Sequence, residues 1–364
     1  MELALVPLMG PFHLRSPAYN TVTVRDMVAA WAPDALATTA LSAGDLSDPQ
    51  WQDTLEIALP LSVVPWTRRM GLPLHLIGEA SGEPGAQEDF RRYLQPYPEL
   101  RQKLAEVDAL LGPVSALLEE PLTIQRITGS LLPALAHYQQ AREATFEDGP
   151  ASEWLHERMK VAAGRAVDLA SAPAAGQGDG PDVGQGAGQG AVPGTVRRAK
   201  RDVEPAIERL ALLAPVDHLP YLTQALEDAG ATPVTPSPVA VTPEARERSL
   251  LDYSFRVDTP EPTRLLEQLR ELDGAEARYH EANLLLASGH GFEALELLER
   301  ASHGDFSFPY FLPGYLLARL GQLRDLGSRR DDALRAYRGV LALDYAPAEA
   351  LEVARSGLER PFSP

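Results

Sequence analysis

A glycine- and glutamine-rich segment at 171–196 places the strongest limit on how this chain folds. It has no aromatic side chain and almost no bulky aliphatic one, so it cannot bury enough apolar surface to offset the entropy lost on ordering. We therefore predict a flexible loop there. Its spaced glycines, from Gly184 to Gly190, partly imitate a phosphate-binding loop. No strand signal precedes them and no helix start follows closely, which disfavours that function.

A second break is the proline-rich stretch 231–243, which we expect to be extended, because proline disfavours helix at its own position and at the one before it. From Glu244 onward the apolar pattern is uniformly helical. The sequence thus predicts a first domain over 1–235, interrupted by the loop, and a helical domain over 244–364.

Short apolar segments in the first domain predict buried strands, at 2–9, 35–41, 72–77 and 209–215. Helical patterns fill much of 98–169 and then 219–229, while 202–213 is also compatible with one continuous helix. Thr23 and Asp26 have the spacing of a helix capping box. The alternation of strand and helix predicts an α/β fold with a mostly parallel sheet and a helical insertion.

Composition narrows the chemistry. The chain has no cysteine, which excludes disulfides, thiol nucleophiles and thiolate metal sites and leaves histidine and carboxylate as the metal ligands. Its net charge of −18 argues against nucleic-acid or anionic-membrane partners. No apolar run is long enough to span a membrane and the start lacks a basic leader, so we expect a cytoplasmic protein. The motifs of serine hydrolases, P-loop NTPases and zincins are missing from the sequence.

Two histidines follow predicted strands at equivalent positions. His13 comes just after the first strand and His218 just after the last one. The carboxyl ends of parallel strands lie at one edge of a sheet, so the two side chains are expected near one crevice. Imidazole suits a divalent metal such as Zn, Mn or Fe, which gives one interpretation. The other is that each histidine is hydrogen-bonded to nearby backbone.

The residues around these histidines resemble a known family. Gly10-Pro11-Phe12-His13 resembles the GxxH motif of the superfamily that includes ChaN, TraB, Tiki and the erythromycin esterases. The segment 213–220 resembles that family's second GxxH motif, and 157–159 loosely resembles its helical Arg-x-x-x-Met-Ala region. The resemblance implies a divalent metal, held by His and Glu, that activates water for amide or ester hydrolysis, or haem binding as in ChaN.

The chain departs from that family at two places. Its second predicted strand, at 35–41, carries no glutamate, and Pro215 replaces the glycine of the second motif. Without the glutamate, a metal would lack a charged ligand and a water-activating base. Either Glu79, Asp45 or Asp217 supplies the carboxylate, with Glu79 and Asp217 as the catalytic candidates, or the site is degenerate. We favour the degenerate site.

The C-terminal part resembles tetratricopeptide repeats. Leu320-Gly321, Ala333 and Tyr337 match the fixed small and large positions of one repeat, and Gly289, Ala294 and Ala301 match an imperfect earlier copy. Helices near 245–256 and 262–273 are expected to complete the array. The resemblance implies stacked helix pairs that bind a protein or peptide.

The expected partner contacts are Tyr310, Phe311 and Tyr337, although for the aromatic loop that holds the first two we favour the alternative that it plugs a gap between repeats. Two functional hypotheses follow. One is an interaction or regulatory protein, in which a degenerate hydrolase-like domain carries a partner-binding helical domain. The alternative is a divalent-metal-dependent amide or ester hydrolase that uses His13 and His218.

Overall fold

The structure is a computed structural model and describes residues 2–48, 50–78, 91–146, 150–171, 206–255 and 261–363. The predicted flexible loop at 171–196 lies outside these ranges apart from Ser171, and Glu79 also lies outside them.

The first domain contains a parallel four-stranded sheet, made of β1 (Glu2–Leu8), β2 (Ala35–Thr38), β3 (Leu74–Leu76) and β4 (Arg209–Pro215). The strand order is β1-β4-β2-β3, so the last strand in sequence lies at the centre. This confirms the α/β prediction and the strand at 209–215, and the alternative of a continuous helix there is wrong. At the outer edge of β1, Val234 of the proline-rich stretch forms one parallel bridge to Ala4. This stretch is therefore extended there, as expected.

Both faces of the sheet are buried, because successive side chains of a strand point to opposite sides. Leu3 and Leu5 of β1 pack on one face, in a cluster that includes Met159. Val6 and Leu8 pack on the other face. This two-sided burial explains why β1 and β4 read as continuous apolar runs, whereas the short edge strand β3 is half-buried and carries His75 at its middle.

The helices of this domain are α1 (Thr21–Trp31), α2 (Ala43–Ser47), α3 (Val64–Met70), α4 (Pro98–Asp108), α5 (Leu111–Glu119), α6 (Ile124–Arg126), α7 (Leu132–Phe146), α8 (Pro150–Ser171) and α9 (Leu219–Asp228). The N-cap of α1 is Asn20, whose Oδ1 accepts a hydrogen bond from the Thr23 backbone N at 2.8 Å. The predicted capping box of Thr23 and Asp26 is therefore wrong, because Asn20 starts the helix three residues earlier and Thr23 lies in its first turn.

The C-terminal region is helical, with α10 (Pro243–Ser254), α11 (Pro262–Arg270), α12 (Ala275–Ala287), α13 (Gly291–Ser302), α14 (Leu312–Leu326), α15 (Arg330–Leu341) and α16 (Ala348–Glu359). Gly289, with φ of +83°, closes the turn between α12 and α13. None of the helices in the described part of the chain is long and apolar enough to cross a membrane.

Tyr337 is wedged between two glycines of neighbouring helices. A Cβ atom on Gly321 of α14, or on Gly357 of α16, would approach its ring to 2.4 Å. The ring is fully buried, and its hydroxyl donates to Asp325 Oδ2 at 3.0 Å. Three helices therefore meet at one aromatic side chain, and neither glycine has room for a methyl group.

The Gly321→Ala variant should accordingly lose about 2 kcal/mol of unfolding free energy, because an added methyl overpacks a filled site. Urea denaturation of the purified protein measures this loss. The matched control is Gly339→Ala on α15, where the added atom meets only the mobile end of Leu317 at 3.3 Å. We expect the unfolding free energy of the control to stay within about 1 kcal/mol of that of the wild type. Equal stabilities of the two variants would contradict the wedge.

A buried ion network links α10 to α12. The guanidinium of Arg248 donates to both carboxylate oxygens of Glu276, at 2.6 and 2.9 Å, and to Asp252 Oδ1 at 2.7 Å. All three side chains are almost completely buried. One positive charge thus faces two carboxylates.

The two regions pack against each other through α1 and α10. The Asn20 side-chain amide donates to the Ala245 backbone O at 2.6 Å and to Ser249 Oγ at 2.8 Å. Arg25 pairs with Glu244 at 2.6 Å. The helical region therefore lies beside the first domain, where its aromatic loop comes near residue Asp53.

Candidate functional site

His13 and His218 follow β1 and β4, as predicted, and these two strands are neighbours in the sheet. Leu8 of β1 is paired with Pro215 of β4, and Val216 N donates to Leu8 O at 2.9 Å where the strands end. Because β1 and β4 are parallel neighbours, the segments that carry the two histidines leave the same edge of the sheet.

His13 is fully buried and both of its ring nitrogens are used within the protein. Its Nε2 accepts from the Met9 backbone N at 2.9 Å, and its Nδ1 donates to the Tyr19 backbone O at 2.8 Å. Burial lowers the pKa of this imidazole to about 4, so the ring is neutral near pH 7. His13 thus follows the second of the two interpretations given above, in which the imidazole is hydrogen-bonded to nearby backbone.

A metal held between His13 and His218 does not fit this arrangement. A metal ligand needs a free lone pair, and the Nε2 lone pair of His13 already accepts a hydrogen bond. An axial haem bond at His13 is excluded by the same contact. In the described ranges, no three His, Asp or Glu side chains are grouped so that they could hold a metal ion.

His218 is placed differently, because it lines a cavity and precedes α9. Its Nδ1 is buried and has no hydrogen-bond partner among the described residues. Burial lowers the pKa of this imidazole, Asp217 opposes the shift, and Arg158 of α8 adds to it. The neutral ring therefore offers one unused nitrogen at the edge of the sheet.

Glu56 is the carboxylate that sequence reasoning missed. Its Oε2 accepts from the Gly10 backbone N at 3.0 Å, directly after β1. Burial raises the pKa of Glu56 from its ordinary 4.5 to about 7, and the nearby negative charge of Asp217 adds to the shift. A carboxyl group with this pKa is able to exchange a proton near neutral pH.

Local backbone structure fixes the position of Glu56. Gly10 has φ of +53°, a left-handed backbone conformation that glycine adopts without strain, and in this conformation its N–H donates to Glu56. The Thr54 hydroxyl accepts from Glu56 N at 3.2 Å. Just beyond, Ala58 and Leu59 are completely buried and anchor the segment in the core.

An acidic cavity of about 460 Å³ lies at this end of the sheet. No lysine or arginine of the described chain lines it. Its wall combines one histidine and one tryptophan with five carboxylates, namely His218, Trp51, Asp45, Asp48, Asp53, Glu56 and Asp217. We call it the acidic cavity.

The other predicted acids have different places. Asp45 caps α2, because its Oδ2 accepts from Ser42 N at 2.7 Å and its own N donates to Ser42 Oγ. Asp217 is exposed at the rim of the acidic cavity. Glu79 lies outside the described residues. Of the acids that could replace the missing glutamate, the structure brings Asp217 beside His218, and it adds Glu56.

The predicted partner residues divide into two groups. Tyr310 and Phe311 are half-buried and line a second cavity of about 500 Å³ between the helical region and the first domain. We call it the aromatic cavity. Tyr337 is completely buried in the wedge with Gly321 and Gly357, so a partner does not reach it. Its prediction as a contact residue is corrected accordingly.

The acidic and aromatic cavities share one residue. Asp53 lines both, and its carboxylate accepts a hydrogen bond from the Tyr345 hydroxyl of the helical region. The two cavities therefore meet at Asp53, and we call the pair of them the groove. No protein-family model, no curated protein and no solved structure matches this chain.

Proposed function

We propose that the protein is an interaction or regulatory protein, in which a hydrolase-like α/β domain related to the ChaN and TraB superfamily carries a tetratricopeptide-like helical domain that binds a partner. The observation that carries the proposal is the position of Tyr310 and Phe311. Both line the groove between the domains, where a bound segment would touch them. Aromatic side chains in partly buried pockets commonly anchor partners.

The packing of the helices supports the comparison with tetratricopeptide repeats. Ala294, Ala301 and Ala333 are buried at the positions where such repeats need small side chains. Gly321 is in contact with the aromatic residue expected at Tyr337. Close helix contacts at fixed small positions are typical of helical repeat arrays.

The contacts of His13 support a domain that does not use the metal chemistry of the superfamily that it resembles. The imidazole holds the turn after β1 by bonding Met9 and Tyr19, which is a structural role. The α/β domain then serves as the platform against which the helical domain forms the groove.

The test uses Tyr310→Ala against Phe292→Ala. Phe292 is an exposed aromatic residue, 76% accessible on α13, and it does not line the groove. A partner captured by the wild type, purified and titrated back, should bind Phe292→Ala unchanged and Tyr310→Ala at least about tenfold more weakly. Equal binding to both variants would contradict the proposal, as would a partner that binds neither.

A second candidate function is amide or ester hydrolysis in the acidic cavity without the proposed His13 ligand. Glu56, with a pKa of about 7, and His218, with a buried unpartnered Nδ1, line the same cavity. A proton-exchanging carboxyl group near an unprotonated imidazole is suited to general acid–base catalysis.

The Glu56→Gln variant decides between the two candidates, because glutamine keeps the shape but cannot transfer a proton. If the protein hydrolyses chromogenic esters or amides, the rate should fall about 100-fold or more. Binding of a partner to the groove should persist. An unchanged rate in Glu56→Gln would remove the hydrolase candidate.

A further inference from the structure

The aromatic cavity has walls of an uncommon composition. Phe255, Tyr310, Phe311, Tyr315 and Tyr345 contribute rings to it. Their packing is edge-to-face, with centroids 5.0 Å apart for Phe255 and Phe311 and 5.3 Å apart for Tyr310 and Tyr345. Five aromatic residues therefore surround a space of about 500 Å³, which is large enough for a small organic group.

Negative charge accompanies these rings. Asp53, Asp252 and Glu349 also line the cavity, and no lysine, arginine or histidine from the described ranges does. Asp53 and Glu349 each accept a hydrogen bond from a tyrosine hydroxyl of the same wall, Tyr345 and Tyr315 respectively. A hydroxyl donor holds a carboxylate in place but leaves its charge uncompensated.

Asp252 gives a second, independent indication of a ligand. Its side chain is only 5% exposed, and its Oδ2 has no hydrogen-bond partner among the described residues. Its Oδ1 accepts from Arg248, whose single charge is shared with Glu276. A buried carboxylate oxygen without a partner is costly, and such atoms commonly mark the place of a bound group.

The combination selects one ligand chemistry. An anion would be repelled by Asp53 and Glu349, and a neutral apolar molecule would leave their charges uncompensated in a drier site. A small hydrated metal ion would gain little from five rings. An organic cation is favoured by the rings and by the carboxylates, because both attract its positive charge. Its carbon atoms would also pack on Leu14 and Ile57.

We infer that the aromatic cavity binds an alkylammonium group. The group comes either from a free quaternary ammonium compound or from the lysine side chain of a bound peptide. The inference deepens the proposed function, on which it rests, by naming the chemical group that a partner presents to the groove.

The test is a calorimetric titration of the full-length protein with choline and with its uncharged carbon isostere, 3,3-dimethyl-1-butanol. Choline should bind at least about tenfold more tightly than the isostere, because only choline carries the charge. A third titration, with a blocked Gly-Lys-Gly peptide, identifies the source. Tighter binding of the peptide than of choline assigns a lysine side chain, and the reverse assigns a free ammonium compound.

The variant Glu349→Gln removes one charge, and Asp252→Asn replaces the buried carboxyl group that has the unpartnered oxygen; each should weaken choline binding about tenfold. The matched control is Glu352→Gln, one turn along α16 from Glu349 and outside the cavity wall, which should bind choline like the wild type. Equal binding of choline and its isostere would overturn the inference, and so would the lack of any binding of choline and peptide. If neither choline nor the lysine peptide binds but a captured partner protein still does, this inference alone is removed and the proposed function stays in place.

Discussion

Replacing Arg248 with methionine is expected to lower the free energy of unfolding by about 4 kcal/mol at pH 8. The substitution leaves Glu276 buried without the cation that its carboxylate faces, beside Asp252, whose pKa burial already raises to about 7. Methionine fills much of the same volume as arginine, so the lost unfolding free energy measures the effect of the missing charge rather than that of a cavity. Urea denaturation at pH 8 and at pH 5 measures it.

The loss should become smaller at pH 5. Without Arg248 the pKa values of both carboxyl groups rise in the folded state, so they take up protons as the pH falls and their repulsion disappears. The control is Arg264→Met, which breaks an exposed pair with Glu261 at 3.1 Å. Such pairs contribute about 1 kcal/mol or less. A cost for Arg248→Met no larger than that of the control would show that the buried network adds no stability.

The second large effect is a pH-dependent stabilisation by Glu56→Gln. The pKa of Glu56 is raised from 4.5 to about 7 in the folded protein. Between these values the unfolded chain loses the proton while the folded chain keeps it, so rising pH lowers the stability of the wild type. The variant lacks this loss. It should match the wild type near pH 4 and exceed it by about 3 kcal/mol at pH 8.

Glutamine keeps an oxygen that accepts from Gly10 N, so the comparison isolates the ionisation. The matched control is Glu119→Gln, an exposed glutamate on α5, which should leave the stability within about 0.5 kcal/mol of the wild type. Denaturant unfolding at several pH values provides the curves. A constant difference between Glu56→Gln and the wild type across this range would mean that Glu56 ionises as readily in the folded protein as in the unfolded chain.

Local patterns in the sequence predicted the sheet well. The segment 209–215 forms β4 with the predicted bounds, although its apolar pattern alone was also compatible with a helix. The shared edge of His13 and His218 followed from the parallel arrangement alone. The N-cap of α1 was missed because Thr23 and Asn20 both have capping side chains, and only the tertiary structure selects Asn20.

The candidate site was predicted only in part. The role of His13 depends on the turn Gly10–Arg15, which brings Met9 N and Tyr19 O to its two ring nitrogens. Glu56 stands at the start of an apolar run and gives no periodic signal, and its partner Gly10 is 46 residues away in sequence. A lone acid at the edge of an apolar segment was the one sign available. The aromatic cavity joins residues from 14 to 349, which no local pattern brings together.

The side chain of Asn20 has a consequence for how the protein unfolds. One of its atoms, Oδ1, caps α1, and another, Nδ2, bonds α10 through Ala245 and Ser249. If α10 departs, the amide loses both acceptors and Arg25 loses Glu244, so the first turn of α1 loses support at the same time. The two regions are separated by a proline-rich break in the sequence, and we expect this shared residue to couple their unfolding.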